Sequence, residues 1–274
     1  MQYSFTTELI ETATHIKTRF NAEPVIGVVL GSGLGNFSKE LQYEFEIDYE
    51  DLPNFPVSTV KGHSGKLVFG TIKGKHIVVM SGRFHYYEGY TTQQVVYPIR
   101  VMKLLGVKTL LISNAAGGVN SSFKVGDLMI INDHISLFTV NPLIGKNEDR
   151  IGTRFPDMSE PYDKSIIAKA KSVAKKLKYE VKEGVYCGVT GPSFETRAEY
   201  KLIKTLGGDA VGMSTIQEVI AAVHAGIKVF AMSIIVNIGI RSEENEFTHE
   251  EVLTAANEAE PKMSAIFKEL IAVL

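Results

Sequence analysis

Five residues near the start of the chain, Gly31-Ser32-Gly33-Leu34-Gly35, have the composition of an anion-binding loop. Three glycines leave the backbone with little side-chain cover, so its N–H groups could point at a phosphate, and the serine would add a hydroxyl donor. The spacing is one residue short of the dinucleotide-binding fingerprint, and the loop lacks the lysine of a P-loop. These residues leave phosphate binding and a plain tight turn both open.

Arg83 and His85 form a second candidate anion site, in a segment rich in tyrosine and glycine that spans residues 82–90. Arginine offers a planar, always-charged fork that suits phosphate oxygens. The alternative is a surface arginine beside a core histidine. The segment is neither a regular amphipathic helix nor a cleanly alternating strand, which favours a functional role. His63 lies in a glycine-flanked loop, where gating and a simple turn are both open.

Ser214 precedes a helix whose start is predicted from Thr215 and Glu218, which have the spacing of a capping box. A helix N-terminus leaves N–H groups without partners and carries a partial positive charge, so it favours a phosphate. A serine there could also be a simple N-cap, and that role does not exclude a phosphate contact.

Three more polar residues lie at predicted element boundaries. Glu195 precedes a helix that is predicted to begin at Thr196, and it could complement the helix dipole or accept hydrogen bonds from a ligand, with Phe194 as a stacking face. Asn237 closes a very apolar strand, where its amide could cap a turn or contact a ligand. His249 lies in the first turn of the last predicted helix and could bond a hydroxyl or be a surface histidine.

Composition limits the classes of function. The 274 residues include 29 Lys and Arg against 31 Asp and Glu, so the net charge of −2 argues against nucleic acid or an anionic membrane as the main partner. The only cysteine is Cys187, which predicts a reducing, cytoplasmic location. No signal peptide is predicted over residues 1–11. The chain has no CxxC, no HExxH and no nucleophile elbow, so no metal is expected.

The elements that must position these residues are predicted as alternating strands and helices. Such alternation indicates one α/β domain with a mostly parallel or mixed sheet covered by helices. The polar stretch 138–161 is long for a loop and is a candidate functional or interface segment. The apolar stretch 219–240 is interrupted by polar residues and is predicted as a buried helix and strand rather than a membrane span. Strands are predicted at 25–30, 66–71, 76–81, 109–113, 127–131, 184–189, 209–213 and 228–237, and helices at 4–20, 93–105, 163–178, 196–206, 215–225 and 249–272.

The candidate groups follow predicted strands, where open α/β sheets bind their ligands. As a set they resemble the trimeric purine nucleoside phosphorylases. The resemblance spans nearly the whole chain and implies a single α/β domain, residues 1–274, with a central mixed, partly barrel-like sheet flanked by helices, assembled as a homotrimer. The matching segments are GSGLG at 31–35, KGHSG at 61–65, GRFHYYEGY at 82–90, NAAGG at 114–118, RFPDMS at 154–159, GPSFET at 191–196, DAVGMST at 209–215 and HEEV at 249–252.

The resemblance implies the roles of individual residues. Inorganic phosphate would be a co-substrate, without a further cofactor, and Phe155 would reach the site of the neighbouring subunit. Catalysis would involve Asn237, Glu195 and His85. Phosphate would be bound by Ser32, Arg83, His85, Ser214 and the backbone of Ala115, with His63 beside it. The nucleoside would be bound by Tyr87, Met213 and His249 on the pentose and by Phe194, Glu195, Val211 and Asn237 on the purine.

The implied reaction is physically coherent. Cleavage of an N-glycosidic bond develops negative charge on the leaving purine, and an amide such as Asn237 could donate a hydrogen bond to it. Glu195 would accept N1–H of a 6-oxopurine and would repel the unprotonated N1 of adenine, which predicts a preference for inosine and guanosine in purine salvage. The chain departs from the family at Val236, where threonine is usual, and at 238–241.

Three other functions fit the same residues less well. A methylthioadenosine phosphorylase would have an apolar residue in place of His249 and an aspartate near Asn237. A nucleoside hydrolase would need a carboxylate-rich site for water or metal. A nucleoside sensor would have no use for Arg83 and Ser32 together with His85. The sequence therefore favours phosphorolysis.

Overall fold

A computed structural model describes residues 5–31, 34–57, 64–239 and 248–274. Nine strands of the described chain form one mixed sheet, which helices cover. The strands are β1 Ile26–Val29, β2 Gln42–Asp48, β3 Lys66–Ile72, β4 Lys75–Ser81, β5 Thr109–Gly118, β6 Leu128–Ile135, β7 Lys182–Gly188, β8 Ala210–Gly212 and β9 Lys228–Ile238. The α-helices are α1 Phe5–Lys17, α2 Thr92–Leu105, α3 Lys164–Lys176, α4 Arg197–Thr205, α5 Ile216–His224 and α6 His249–Val273.

The sheet has an open half and a closed half. In the open half, β3 runs antiparallel to both of its neighbours, β2 and β4, and β1 lies parallel between β4 and β5. In the closed half, the order β5-β8-β7-β6-β9 returns to β5 because β9 also pairs with β5 in parallel. This ring of five strands is the partly barrel-like element that was expected. The mixed α/β fold with flanking helices is therefore confirmed.

Most elements lie where the apolar pattern predicts them. All four residues of β1 are buried, and the stretch 219–240 divides into the helix α5 and the strand β9, as predicted. The strand β2 was missed because it has no continuous apolar run, although Tyr43, Phe45 and Ile47 alternate with polar residues as in a half-buried strand. No helix of the described residues is long and apolar enough to cross a membrane.

The strand β5 is longer than predicted. The segment 114–118 was expected to be a turn after the strand, but it continues the strand and pairs with both β9 and β8. Its alanines and glycines have the small side chains that allow neighbouring elements to approach, so composition suggested a turn. The consequence is that polar and glycine residues of this segment lie inside the barrel mouth rather than on a loop.

The helix start predicted at Thr196 is confirmed. Capping boxes are present at Thr196 and at Thr248, each with a glutamate three residues later. The predicted cap of α5 is wrong: Thr215 is the N-cap residue but makes no side-chain cap hydrogen bond. Its φ is 74°, outside the usual range for threonine, and Glu218 is bound elsewhere. This strained start turns the threonine side chain toward β5.

Candidate active site

An open cavity lies at the carboxyl ends of β1, β4, β5 and β9 and beside β8. Ten of the residues that the sequence singled out line it. They are Arg83, His85, Tyr87, Ala115, Phe194, Glu195, Val211, Met213, Ser214 and Asn237.

Arg83 is fixed by a buried ion pair. Its Nε and Nη2 lie 3.1 and 3.0 Å from the two carboxylate oxygens of Glu218, and both side chains are almost fully buried. Its Nη1 donates to the Ser113 carbonyl at 2.9 Å and to Ser214 Oγ at 3.1 Å. This network explains why Glu218 does not cap α5. Removing one member of a buried pair leaves a costly uncompensated charge, so Glu218 holds the guanidinium in one orientation at the cavity wall.

His85 is held as a neutral ring. Its Nδ1 lies 3.1 Å from Glu88, whose carboxylate also accepts the His85 backbone N–H at 2.7 Å. Burial lowers the pKa of His85 and outweighs the raising effect of Glu88. The ring stacks on Tyr87, with centroids 4.6 Å apart. Burial also raises the pKa of Tyr87 to about 12, so its phenol stays protonated and can donate a hydrogen bond.

The end of β1 packs tightly against β5. A side chain at Gly31 would come within 2.9 Å of the Asn114 backbone, so glycine is needed there. The Gly31 N–H donates to Ser113 Oγ at 3.3 Å, so this amide does not point at an anion as the loop was expected to do. Asn114 in turn donates to Thr215 Oγ1 at 2.8 Å. The strained threonine therefore links β5 to the start of α5, next to Ser214.

A β-bulge places two successive residues of β9 at the cavity. The β5–β9 register shifts after Ala116, which pairs with Ile235, while Gly117 pairs with Asn237. Val236 is thus the extra residue, and both Val236 and Asn237 line the cavity although strand neighbours normally face opposite ways. The bulge therefore puts the apolar side chain of Val236 directly on the cavity wall.

Glu195 lies at the same end of the cavity, before α4. Burial raises the pKa of its carboxyl, Glu199 raises it further, and the nearby hydroxyl of Tyr200 lowers it. Tyr200 also lines the cavity, yet the sequence argument did not single it out. Its position inside the predicted helix gave no signal, since an apolar aromatic on a helix is usually a core residue. Glu218 and Thr215 were missed as site-supporting residues because their spacing fits a capping box, and Asn114 because it stands in a segment that was expected to be a turn.

Of the other four expected residues, the structure describes the side chain of Phe155 alone. Ser32 and His63 lie outside the described residues, and so does the side chain of His249, although the backbone of α6 begins there as predicted. Phe155 does not line the cavity of its own chain and is 84% exposed. Among the described residues, no group of three or more potential metal ligands is present.

Comparison with known proteins matches this geometry to a family. Residues 25–272 match the model of the phosphorylase superfamily. The chain is 49% identical to purine nucleoside phosphorylase 1 of Geobacillus stearothermophilus, with 97% of each chain covered. It is 47% identical to the purine nucleoside phosphorylase of Bos taurus, with 96% of this chain and 93% of the bovine protein covered. The chain belongs to the purine nucleoside phosphorylase family.

Solved structures of the family agree with the fold. Crystal structures of the Schistosoma mansoni purine nucleoside phosphorylase with adenosine and with inosine both have a TM-score of 0.92 to this chain, at 44% and 43% identity. Each comparison covers 97% of this chain and 96% of the other. The chain is therefore a purine nucleoside phosphorylase, an enzyme of nucleoside metabolism that transfers a pentosyl group.

Proposed function

We propose that this phosphorylase cleaves purine ribonucleosides and 2′-deoxyribonucleosides reversibly with inorganic phosphate and prefers 6-oxopurines such as inosine and guanosine. The products would be the free purine and ribose or deoxyribose 1-phosphate, as purine salvage requires. The observation that carries the proposal is the polarity of the cavity. A guanidinium and a helix N-terminus lie at one end, and a carboxylate with an amide lies at the other.

The phosphate end is supported by donors from three elements. Arg83 follows β4, Ser214 precedes α5, and the N–H of Ala115 belongs to β5. A neutral His85 would accept or donate according to the protonation state of phosphate. Phosphate is already an anionic nucleophile, so these residues need only orient it toward the anomeric carbon. We include Ser32 and His63 in this group by resemblance, since both lie outside the described residues.

The purine end explains the preference. An ionised Glu195 would accept N1–H of hypoxanthine or guanine and the 2-amino group of guanine. Asn237 would donate to N7 or O6 as negative charge develops on the leaving base, which is electrostatic stabilisation of the transition state. Phe194 and Val211 would pack on the purine, Tyr87 and Met213 would contact the pentose, and His249 would bond the 5′-hydroxyl. No further cofactor is needed for this chemistry.

The assembly and location are also part of the proposal. We infer that residues 1–274 form one phosphorylase domain that acts as a homotrimer, with Phe155 completing the site of the neighbouring subunit. The exposed side chains of Leu137, Ile144 and Phe155 support an interface on the connection between β6 and α3. A single, buried free cysteine supports a reducing, cytoplasmic location.

The test is nucleoside cleavage with phosphate added or omitted. We expect hypoxanthine and ribose 1-phosphate from inosine only when phosphate is present. We also expect kcat/KM for inosine to exceed that for adenosine by about two orders of magnitude, because adenine leaves the buried carboxylate unpaired. Equal rates without phosphate would contradict phosphorolysis. Equal kcat/KM for the two nucleosides would contradict the preference alone.

A further inference from the structure

The Tyr200 hydroxyl lies between the two polar groups of the purine end. A methyl group placed on Gly117 would be 3.0 Å from the Tyr200 hydroxyl and 2.8 Å from Asn237 Oδ1, so both oxygens lie within 3.0 Å of one point. The same hydroxyl is close enough to Glu195 to lower the pKa of its carboxyl. Glycine at 117 is what allows these groups to converge.

The ring of Tyr200 is fixed, and only its hydroxyl is directed to the polar groups. The ring belongs to a small buried cluster with Val119, Cys187, Ile203 and Val211. On its other side it packs directly on Gly239, where an added methyl group would lie 1.9 Å from the ring. Gly239 falls in the 238–241 segment in which this chain departs from its family. The large ring of Tyr200 on α4 therefore fits against the small Gly239 after β9.

Two buried oxygens near this point lack a hydrogen-bond partner. By ordinary distance and angle, neither the Tyr200 hydroxyl nor Asn237 Oδ1 has a hydrogen-bond partner among the described residues. An unpaired buried polar atom costs about 1–3 kcal/mol, so small side-chain movements that give each oxygen a partner are favourable. Hydrogen bonds of this kind are commonly loose in the unliganded enzyme and shorten when substrate binds.

We propose that Tyr200 is a positioning residue that determines base specificity. Its hydroxyl donates its single proton to the Glu195 carboxylate, and its oxygen accepts one N–H of the Asn237 amide. These contacts direct the second Asn237 N–H toward N7 and O6 of the purine and keep the Glu195 carboxylate facing N1–H. The inference rests on the proposed function, since it assigns a cause to the preference for 6-oxopurines.

The test compares two hydroxyl deletions of equal size. Tyr200→Phe keeps the ring on Gly239 but removes the donor. Tyr97→Phe is the matched control, because its buried hydroxyl bonds Thr12 at 2.7 Å and lies away from the cavity. We expect Tyr200→Phe to lower kcat/KM for inosine about tenfold, which is the usual effect of losing one hydrogen bond to a charged group. The kcat/KM for adenosine should change little. Tyr97→Phe should leave the ratio of the two nucleosides unchanged.

The pH profile separates positioning from a merely structural effect. The groups that face Glu195 are Tyr200 and Glu199 of α4 and Cys187 of β7. Removing the Tyr200 donor takes away one of the two hydrogen bonds that lower the Glu195 pKa, so burial and Glu199, which raise that pKa, are opposed only by the Glu195 backbone N–H. The loss of inosine kcat/KM as the pH falls should therefore begin at a higher pH in Tyr200→Phe than in the wild type.

A second variant keeps the proposal testable if the first does not fold. In Gly239→Ala the methyl group would push the Tyr200 ring away without deleting the hydroxyl, and we expect the same two changes. A folded variant of either kind with the wild-type nucleoside ratio and pH profile overturns the proposal. The proposed preference fails separately if the wild type uses adenosine as well as inosine, and the inosine pH profile still tests Tyr200 in that case.

Discussion

At the scale of single residues, the buried ion pair of Arg83 and Glu218 shows that a side chain lining the cavity is oriented by a second residue behind it. The glutamate orients the guanidinium and balances part of its charge. A phosphate would therefore meet a guanidinium that is already oriented, which reduces the entropy cost of binding. At the other end, Asn237 is buried and carries an amide oxygen without a partner among the described residues. The guanidinium is thus held by partners within the chain, whereas the Asn237 amide oxygen is not.

The substitution Asn237→Asp should move base preference toward 6-aminopurines. The new carboxylate would repel the 6-oxo group of hypoxanthine, whereas it could accept the 6-amino group of adenine. We expect kcat/KM for inosine to fall by about 10- to 100-fold, equivalent to one misplaced charged hydrogen bond, while that for adenosine rises. Steady-state kinetics with both nucleosides at saturating phosphate measure the change.

A matched control is Asn132→Asp, which adds the same charge at an exposed position of β6 outside the cavity. It should leave both nucleosides unchanged. If Asn237→Asp keeps the wild-type ratio of inosine to adenosine, the assignment of Asn237 to the base is wrong.

The residue types predicted which side chains line the cavity but not which side chains hold them in place. Glycine, arginine and amide residues after strands have few structural roles, so Arg83, Ser214 and Asn237 could be found from their place in the sequence. Glu218 and Tyr200 could not, because each fits an ordinary role in its helix, as a cap partner and as a core aromatic. Their actual contacts depend on residues more than 30 positions away, which local patterns do not encode.

At the scale of elements, the end of α4 that faces the cavity depends on one cap. Thr196 Oγ1 accepts the Glu199 N–H at 3.2 Å, and the Glu199 carboxylate accepts the Thr196 N–H at 2.6 Å. Glu195 immediately precedes this cap, and Tyr200 lies in the first turn and a half of the helix. The cap therefore sets where both side chains point.

The substitution Thr196→Ala should loosen this helix start. We expect the free energy of unfolding to fall by about 1 kcal/mol, the usual cost of losing an N-cap. We also expect the KM for inosine to rise severalfold while kcat changes less, because Glu195 contributes mainly to base binding. Chemical denaturation and steady-state kinetics measure the two effects.

Thr196→Ser is the control, since its hydroxyl can still accept the Glu199 N–H. It should resemble the wild type in both measurements. A loss of stability in Thr196→Ala without a rise in KM would show that the cap does not position the purine end.

Strands that are buried on both faces were predicted well, whereas the pairing of strands that are distant in the sequence was not. The alternation of buried strands with helices is visible in the sequence, as β1 and β9 illustrate. The closure of the barrel by β5 and β9 joins segments more than 100 residues apart, and the bulge at Val236 follows from that pairing. Neither has a local sequence signal. The edge strand β2 is held by pairing to β3 rather than by an apolar run of its own.

At the scale of the whole molecule, the connection between β6 and α3 is the part of the described chain that a single subunit leaves unexplained. It contains no helix or strand, it carries exposed apolar side chains, and Gly152 packs so closely on α5 that an added methyl group would lie 1.8 Å from the His224 carbonyl oxygen. The connection is thus anchored to the body of the protein while Phe155 projects from it. Arg154 lies over the Phe155 ring at 5.4 Å and supports that projection.

If Phe155 completes a neighbouring site, two inactive variants should restore each other. Phe155→Ala would retain its own cavity but lack the donated ring, and Asn237→Ala would donate the ring but lack the base contact. Each variant alone should have low inosine phosphorolysis. Co-expressed in equal amounts, they should recover about a quarter of the wild-type activity. In a randomly mixed closed ring, half of the sites are intact, and half of those have an intact donor.

The matched control mixes Asn237→Ala with Glu195→Ala. Both changes damage the same cavity, so no combination of these subunits produces a complete site, and activity should stay low. Sedimentation of the mixed proteins establishes whether the variants still assemble. Recovery in the first mixture but not in the second requires that a subunit contributes to its neighbour. Assembled mixtures without recovery would show instead that each cavity is complete within its own chain and that Phe155 has another role.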